Sequence, residues 1–327
     1  MATGDHGGHD RGRGRAGPVA LAALRGLGRR TGRVRYAVSN WIYGDEPLAV
    51  TFERLSRLGY QGVEIQAEPD RQDPREVRAL ADRHGLEVCS ITGTFPWPTE
   101  ERDLAHPDPQ VRARAVAYVR RLVEFAGSVG APQVLLVPAS VPRRAPVEWA
   151  GDPETWWPLV EREWTLAVAS VRDAAGFAAE RGVRLAVEPI NRYESFLLNT
   201  AEQALRFVEE VSSPWVGVHL DTFHMNLEEP DPAAAVRRVG GRLTSLHVSD
   251  SHRGPPGEGH VDFRGILRSL QEVGFQGYLI LEPLPPVPDV DVAIRARRCA
   301  ALRDAYAERG LGWLRALEAR LDSRGPF

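Results

Sequence analysis

From residue 34 onward, short apolar runs of strand length alternate with longer stretches whose apolar residues recur at helical spacing. The runs are VRYAVSNW at 34–41, GVEIQ at 62–66, EVCSITG at 87–93, QVLLVPA at 133–139, RLAVEP at 184–189, VGVHLD at 216–221, LTSLHVSD at 243–250 and YLILEP at 278–283. Between them PLAVTFERLSRLG, DPREVRALADRHG, PQVRARAVAYVRRLVEFAGSVG, WTLAVASVRDAAGFAAERG, TAEQALRFVEEV, DPAAAVRRV and FRGILRSLQEVG follow the i, i+3, i+4 pattern of amphipathic helices. A long final helix is predicted from about 290 to 321. Gly59, Gly85, Gly130, Gly182 and Gly274 punctuate helix ends, and Asp73, Asp108 and Thr200 stand where N-caps belong. Strands that read as continuous apolar runs are buried on both faces, which is the signature of a parallel sheet. Eight such strand–helix units with right-handed crossovers predict a closed (β/α)8 TIM barrel. An open doubly wound sheet is the other arrangement, but no glycine-rich phosphate turn follows the first run.

The termini break this pattern. MATGDHGGHDRGRGRAGP is rich in Gly, Arg and His, and the apolar VALAAL after it is cut short by Arg25. Residues 1–33 therefore read as a disordered extension, 34–322 as one barrel domain and 323–327 as a tail. His6 and His9 fit a solvated tail better than a metal site. The apolar stretch is too interrupted for a signal peptide, and no run approaches the roughly 20 residues of a membrane span, so no membrane partner is expected. The segment 141–163 is the longest irregular stretch, on the side where a barrel carries its active-site loops. It reads either as a lid or, more economically, as a place where Trp149, Trp156 and Trp157 pack against the barrel wall or a second subunit. Trp41 and Trp97, each following a strand, are candidates for stacking on a sugar.

Composition narrows the chemistry. A chain of 327 residues, 43% hydrophobic, accommodates one large domain. Its net charge of -3 and pI near 6.3 give no basic footprint, so no nucleic-acid partner is expected. All 41 basic residues are Arg, which excludes Schiff-base chemistry such as that of a lysine-dependent aldolase. Cys89 and Cys299 suggest neither a disulfide framework nor a thiolate metal site, and point to a reducing cytoplasm.

Four consecutive runs in the second half close on a potential metal ligand: LAVEP on Glu188, VGVHLD on Asp221, LTSLHV on His247 and LILEP on Glu282. In a parallel barrel the carboxyl ends of the strands face one mouth, so these four side chains converge. Two Glu, one Asp and one His form an oxygen-rich set that suits Mn2+, with Co2+ or Mg2+ as alternatives, better than structural zinc. The competing reading is that such carboxylates merely pair with neighbouring Arg, which four strand ends in series make unattractive. Three of the four ligands also have a polar companion downstream: Glu194 after Glu188, His224 after Asp221 and Arg253 after His247. A carboxylate, an imidazole and a guanidinium are what a polyhydroxylated substrate would need around a cation.

VEPINRYESFLLNT, VHLDTFHMNLEE, HVSDSHRGPPGEGHVDF and LEPL resemble the signature segments of the ketose 3-epimerases, a group of the xylose-isomerase-like barrels. The resemblance is close over the last four strands and lies mainly in barrel layout before residue 180. It implies that Glu188, Asp221, His247 and Glu282 hold a divalent metal, usually Mn or Co, and that Glu188 and Glu282 are the acid–base pair. It also implies that Glu194, His224 and Arg253 hold the ketose around its carbonyl end, and that the chain is a homodimer or homotetramer. His252, where the family often has Asn, and the segment 141–163 depart from the pattern and put the identity of the sugar in question. Proton abstraction beside a carbonyl also begins the reactions of related barrels: sugar and hydroxypyruvate isomerases, inosose dehydratases, and enzymes that cleave 3-keto-glycosides, including C-glycoside deglycosidases. An abasic-site endonuclease would need further His at the second and third strand ends, where GVEIQAEP and SITGTF have none. A non-catalytic sugar binder would be expected to have lost part of the ligand set.

Overall fold

In the computed structural model, which describes residues 34–93 and 99–323, the eight apolar runs close into an all-parallel barrel in sequence order. The strands are β1 Arg35–Ser39, β2 Gly62–Ala67, β3 Glu87–Gly93, β4 Gln133–Leu136, β5 Arg184–Val187, β6 Val216–Asp221, β7 Leu243–Val248 and β8 Tyr278–Leu281. Pairing of Arg35 with Tyr278 through Val38 with Leu281 joins β1 to β8 and closes the ring. The surrounding helices are α1 Leu48–Leu58, α2 Pro74–His84, α3 Pro109–Val129, α4 Pro153–Arg181, α5 Ala201–Val211, α6 Thr222–Glu228, α7 Pro232–Val239, α8 Phe263–Glu272, α9 Val290–Arg295 and α10 Arg297–Asp322. No helix among the described residues is long and apolar enough to cross a membrane. The expected extension 1–33 with His6 and His9, residues 324–327 of the tail, and Trp97 lie outside the described residues.

The helix boundaries follow the predicted caps. Asp73 and Asp108 accept from the backbone N–H two residues on, and Thr200 forms a reciprocal capping box with Gln203. Several strands stop short of their apolar runs. β5 and β8 end one residue before Glu188 and Glu282, whose backbone N–H groups still donate to Leu136 and Val248 at 2.8 and 3.2 Å. β1 gives way to a 3-10 turn, Asn40–Tyr43, which carries Trp41 into the barrel mouth.

Three expectations are corrected. α4 begins at Pro153, eleven residues before the predicted Trp164, because Asp152 caps it and proline suits the first helical turn. Only the first half of segment 141–163 is therefore irregular, and that half is anchored rather than lid-like. The Arg143 guanidinium donates to Asp103 Oδ2 at 2.6 Å and to Glu163 Oε2 at 2.6 Å, and both carboxylates are buried. Trp156 packs edge-on against Phe196 and Trp149, as expected, but Trp157 is 69% exposed and does not join the wall. The long final helix is two, α9 and α10, separated at Ala296, whose ψ of 127° is extended. α6 was not anticipated; Asp221, at the end of β6, caps it through Phe223 N–H.

The barrel interior is polar at the carboxyl ends of its strands. Side chains two apart on a strand share a face, so His219 and Asp221 point inward together, as do Ser245 and His247. The register pairs Asp221 with His247 and His219 with Ser245. On the other side Ser39, Glu64 and Ser90 are register partners across β1, β2 and β3. Apolar branched residues are the usual filling of such a barrel, so this layer is where function has replaced packing.

Candidate active site

The four predicted strand-end residues come together. His247 Nδ1 lies 3.7 Å from Glu188 Oε1 and 3.3 Å from Glu282 Oε2. Asp221 is the register neighbour of His247, and its Oδ2 is buried with no hydrogen-bond partner among the described residues. All four side chains are buried. Buried carboxylates are unfavourable unless paired or liganded, so a cluster of three beside one imidazole is a site built for positive charge. The overlapping sets Glu188–Asp221–His224, Glu188–His219–His247 and Glu64–His247–Glu282 each bring donor atoms close enough to hold a metal ion.

The electrostatics follow from crowding. Burial pushes the Glu282 carboxyl up to about 7, with Glu64 and Asp221 adding to the rise and His247 and Arg253 opposing it. Burial alone would depress His247, but Glu282 and Glu64 hold it well above the ordinary imidazole range. Burial also works against the Asp221 carboxylate, and His224, Arg253 and His247 more than offset it, leaving the group below its ordinary value.

The predicted companions surround this cluster. His224 Nε2 approaches Asp221 Oδ2 at 3.6 Å, and its Nδ1 is 2.8 Å from Asn191 Nδ2. Asn191 also donates to Glu194 Oε1 at 2.8 Å, so one amide fixes both side chains. Arg253 brings its guanidinium to 3.6 Å from Glu282 Oε2 and over the rings of Phe223 and Trp41 at 4.6 and 5.7 Å. Its backbone is left-handed, with φ 59°, at a tight turn held by Asp250, whose carboxylate accepts from the N–H groups of Ser251, Gly257 and Val261. Trp41 donates its indole N–H to Glu282 Oε1 and lines the cavity, so it orients a carboxylate as well as offering a ring face. His252 is exposed and lies outside the cavity wall, so that departure does not touch the site; Val141, Pro142 and Arg144 from the irregular loop do line it.

Three residues were missed in the sequence. Glu64 Oε1 accepts from Ser39 Oγ at 2.7 Å and faces His247 Nε2 at 3.0 Å. Burial pushes its carboxyl up, but His247 and the neighbouring hydroxyls hold it below the ordinary range. The signal was a charge in mid-run, GVEIQ, in a strand buried on both faces. His219 stacks edge-on against His247 at 4.0 Å, and burial with the nearby His247 pushes it well below the ordinary imidazole range. Its Nε2 accepts from His247 N–H at 3.2 Å and its Nδ1 contacts Ser245 Oγ at 2.7 Å, so both nitrogens are engaged and it is not free to ligate. The clue was its two-residue offset from Asp221. Asn191, three residues past Glu188, is the third.

Glu188, Glu194, His224, His247, Arg253 and Glu282 line a cavity of about 780 Å3 at the carboxyl ends of the strands, with Glu64, Asn191, His219 and Asp221 behind its wall. The chain matches the family described as Xylose isomerase-like TIM barrel over residues 52–317. It is 31% identical over 236 residues to the D-psicose 3-epimerase of Ruminiclostridium cellulolyticum, covering 71% of this chain and 76% of that one. It is 30% identical over 244 residues to the D-psicose 3-epimerase of Enterocloster bolteae, covering 71% and 75% respectively. The crystal structure of D-psicose 3-epimerase with D-tagatose from Clostridium cellulolyticum superposes with a TM-score of 0.75 at 25% identity, over 87% of this chain and 99% of that one.

Proposed function

This chain belongs to the xylose isomerase-like TIM-barrel family, in its ketose 3-epimerase group, and from that membership we propose that it inverts C3 of a ketose through an enediolate, using a divalent cation. The observation that carries the reading is the convergence of Glu188 and Glu282 on His247 Nδ1 at the cavity floor, with Arg253 beside Glu282. Glu188, Asp221, His247 and Glu282 would hold the ion. Asp221 Oδ2, buried without a hydrogen bond, and the oxygen-rich donor set fit Mn2+ first, with Co2+ or Mg2+ as alternatives. When bound, the cation supplies positive charge that stabilises the enediolate.

The chain's own residues do the rest. Inversion requires removal of the C3 proton on one face and its return on the other. Glu188 takes the proton and Glu282 delivers one, and the two exchange roles when the reaction runs backward. Glu194 accepts from a substrate hydroxyl, while His224 and Arg253 hold the oxygens at the carbonyl end. Asn191 keeps Glu194 and His224 in place, and the Trp41 indole keeps Glu282 aimed.

A second reading is favoured by one observation. A cavity of about 780 Å3 with Arg144 on its outer wall is in the range that encloses drug-sized ligands, which leaves room for a sugar bearing a substituent. That space favours a 3-keto-glycoside as the rival substrate. Proton NMR in D2O separates the two. Metal-stripped protein reloaded with Mn2+ should replace the C3 proton of D-fructose, D-tagatose or D-psicose with deuterium and form the C3 epimer. Absence of exchange with all three, alongside turnover of a 3-keto-glycoside, would transfer the assignment to the rival.

A further inference from the structure

We infer that Glu64 is a positioning residue for His247: its buried carboxylate takes the Nε2–H of that imidazole and so turns Nδ1 toward Glu188 and Glu282. The inference rests on the reading of His247 as a cation ligand. It begins with an asymmetry in the ring. Nε2 faces Glu64 Oε1 at 3.0 Å, whereas Nδ1 faces Glu282 and Glu188 at 3.3 and 3.7 Å. A carboxylate only accepts, so Nε2 is the donor; in the neutral ring the lone pair then belongs to Nδ1, the edge that faces the other carboxylates.

The surroundings hold this arrangement from three sides. Glu64 is 0% exposed, and Ser39 Oγ donates to the same Oε1 at 2.7 Å, so the carboxylate cannot swing away without losing a buried hydrogen bond. His219 takes the backbone N–H of His247 at 3.2 Å and stacks against its ring, fixing the main chain from below. Ser245 Oγ, which receives Gln133 Nε2 at 2.6 Å, anchors His219 in turn. Glu64 comes from β2, across the barrel from β7, so closure of the barrel alone brings the pair together.

Glu64, His247 and Glu282 also have the spacing of a metal site. The ring geometry argues against Glu64 as a ligand of the same ion. The two imidazole nitrogens lie on different edges of the ring, and one cation cannot occupy both the Nε2 edge at Glu64 and the Nδ1 edge at Glu188. A carboxylate that takes the outer N–H of a liganding imidazole fixes its tautomer and strengthens it as a donor, and loss of such a partner costs about 10–100-fold in metal affinity.

The test is Mn2+ titration of the metal-stripped full-length chain by calorimetry, comparing wild type with Glu64→Gln, Glu64→Leu and His247→Asn, alongside thermal unfolding of each metal-free protein. Mn2+ binding by wild type that His247→Asn abolishes or severely weakens establishes the ligand reading separately. The inference then expects Glu64→Leu to weaken Mn2+ by about 100-fold and Glu64→Gln, which keeps an acceptor, by about tenfold. The metal-free Glu64→Gln protein should unfold near the wild-type temperature, because its amide oxygen still accepts from Ser39 and His247, whereas Glu64→Leu strands both buried donors and should unfold lower. Wild-type affinity in Glu64→Gln and Glu64→Leu would overturn the inference while leaving the ligand reading intact. Weakening in Glu64→Gln that merely tracks a loss of metal-free stability would overturn it as well. Should Glu64→Leu fail to fold, Glu64→Gln decides alone.

Discussion

The indole N–H of Trp41, on the turn after β1, donates to the carboxylate of Glu282, the residue that follows β8. First and last strands are neighbours in the closed barrel, so residues 241 apart in sequence share one hydrogen bond. The bond favours the ionised form of a carboxyl that burial drives up to about 7. Trp41→Phe keeps the ring and removes the donor. The expected outcome is a loss of about tenfold in kcat/KM. In the direction in which Glu282 takes the proton, the acid limb of the pH–rate profile should move to higher pH, because the carboxylate form loses a stabilising donor and persists only at higher pH. An unchanged acid limb in steady-state assays would show that Trp41 does not govern Glu282.

Chelation supplies a second prediction. Treatment with EDTA followed by gel filtration should abolish epimerisation and lower Tm, and Mn2+ should restore both. A ligand held only by the folded state stabilises it by about 2.7 kcal/mol at one hundred times Kd, which differential scanning calorimetry resolves. Glu282→Gln should bind Mn2+ more weakly and show no exchange of the C3 proton; persistent exchange in the metal-loaded variant would remove Glu282 from the acid–base pair.

Arg143 sits between the buried carboxylates of Asp103 and Glu163. Arg143→Met leaves both without a counter-charge, and breaking a buried pair from one side costs about 3–5 kcal/mol. Urea unfolding should show that loss. The loop that contributes Val141, Pro142 and Arg144 to the cavity should loosen at the same time, raising KM more than it lowers kcat.

Asp250 organises the turn that presents Arg253. Burial opposes its ionisation, but backbone N–H groups from Ser251, Gly259, Val261 and Gly257 more than offset it, and its carboxyl is held below the ordinary value. A depressed folded-state pKa contributes stability that is fully present above the unfolded value of about 3.9 and is lost as pH falls through the folded one. Asp250→Asn should therefore destabilise the protein by about 1–3 kcal/mol at neutral pH. The gap between variant and wild type should close progressively below about pH 4; a gap that stayed constant down to the acid transition would count against the carboxylate as its cause.

Sequence alone determined the barrel and the four converging strand ends. The reason is that strands buried on both faces must be apolar throughout, so a charge at the end of such a run has one plausible home, the mouth. Helix caps such as Asp73, Asp108 and Thr200 were legible because capping is local chemistry. The start of α4 was not, since Pro153, Pro158 and three Trp around them imitate a loop until Asp152 is seen to cap them. Only the tertiary structure decided the placement and partners of Glu64, His219 and Trp41. A glutamate inside GVEIQ has no address in sequence, because its partners, Ser39 and His247, come from strands 25 residues before and 183 after. Closure of the ring turns it inward and gives it a partner, and that partnership is a property of the whole barrel.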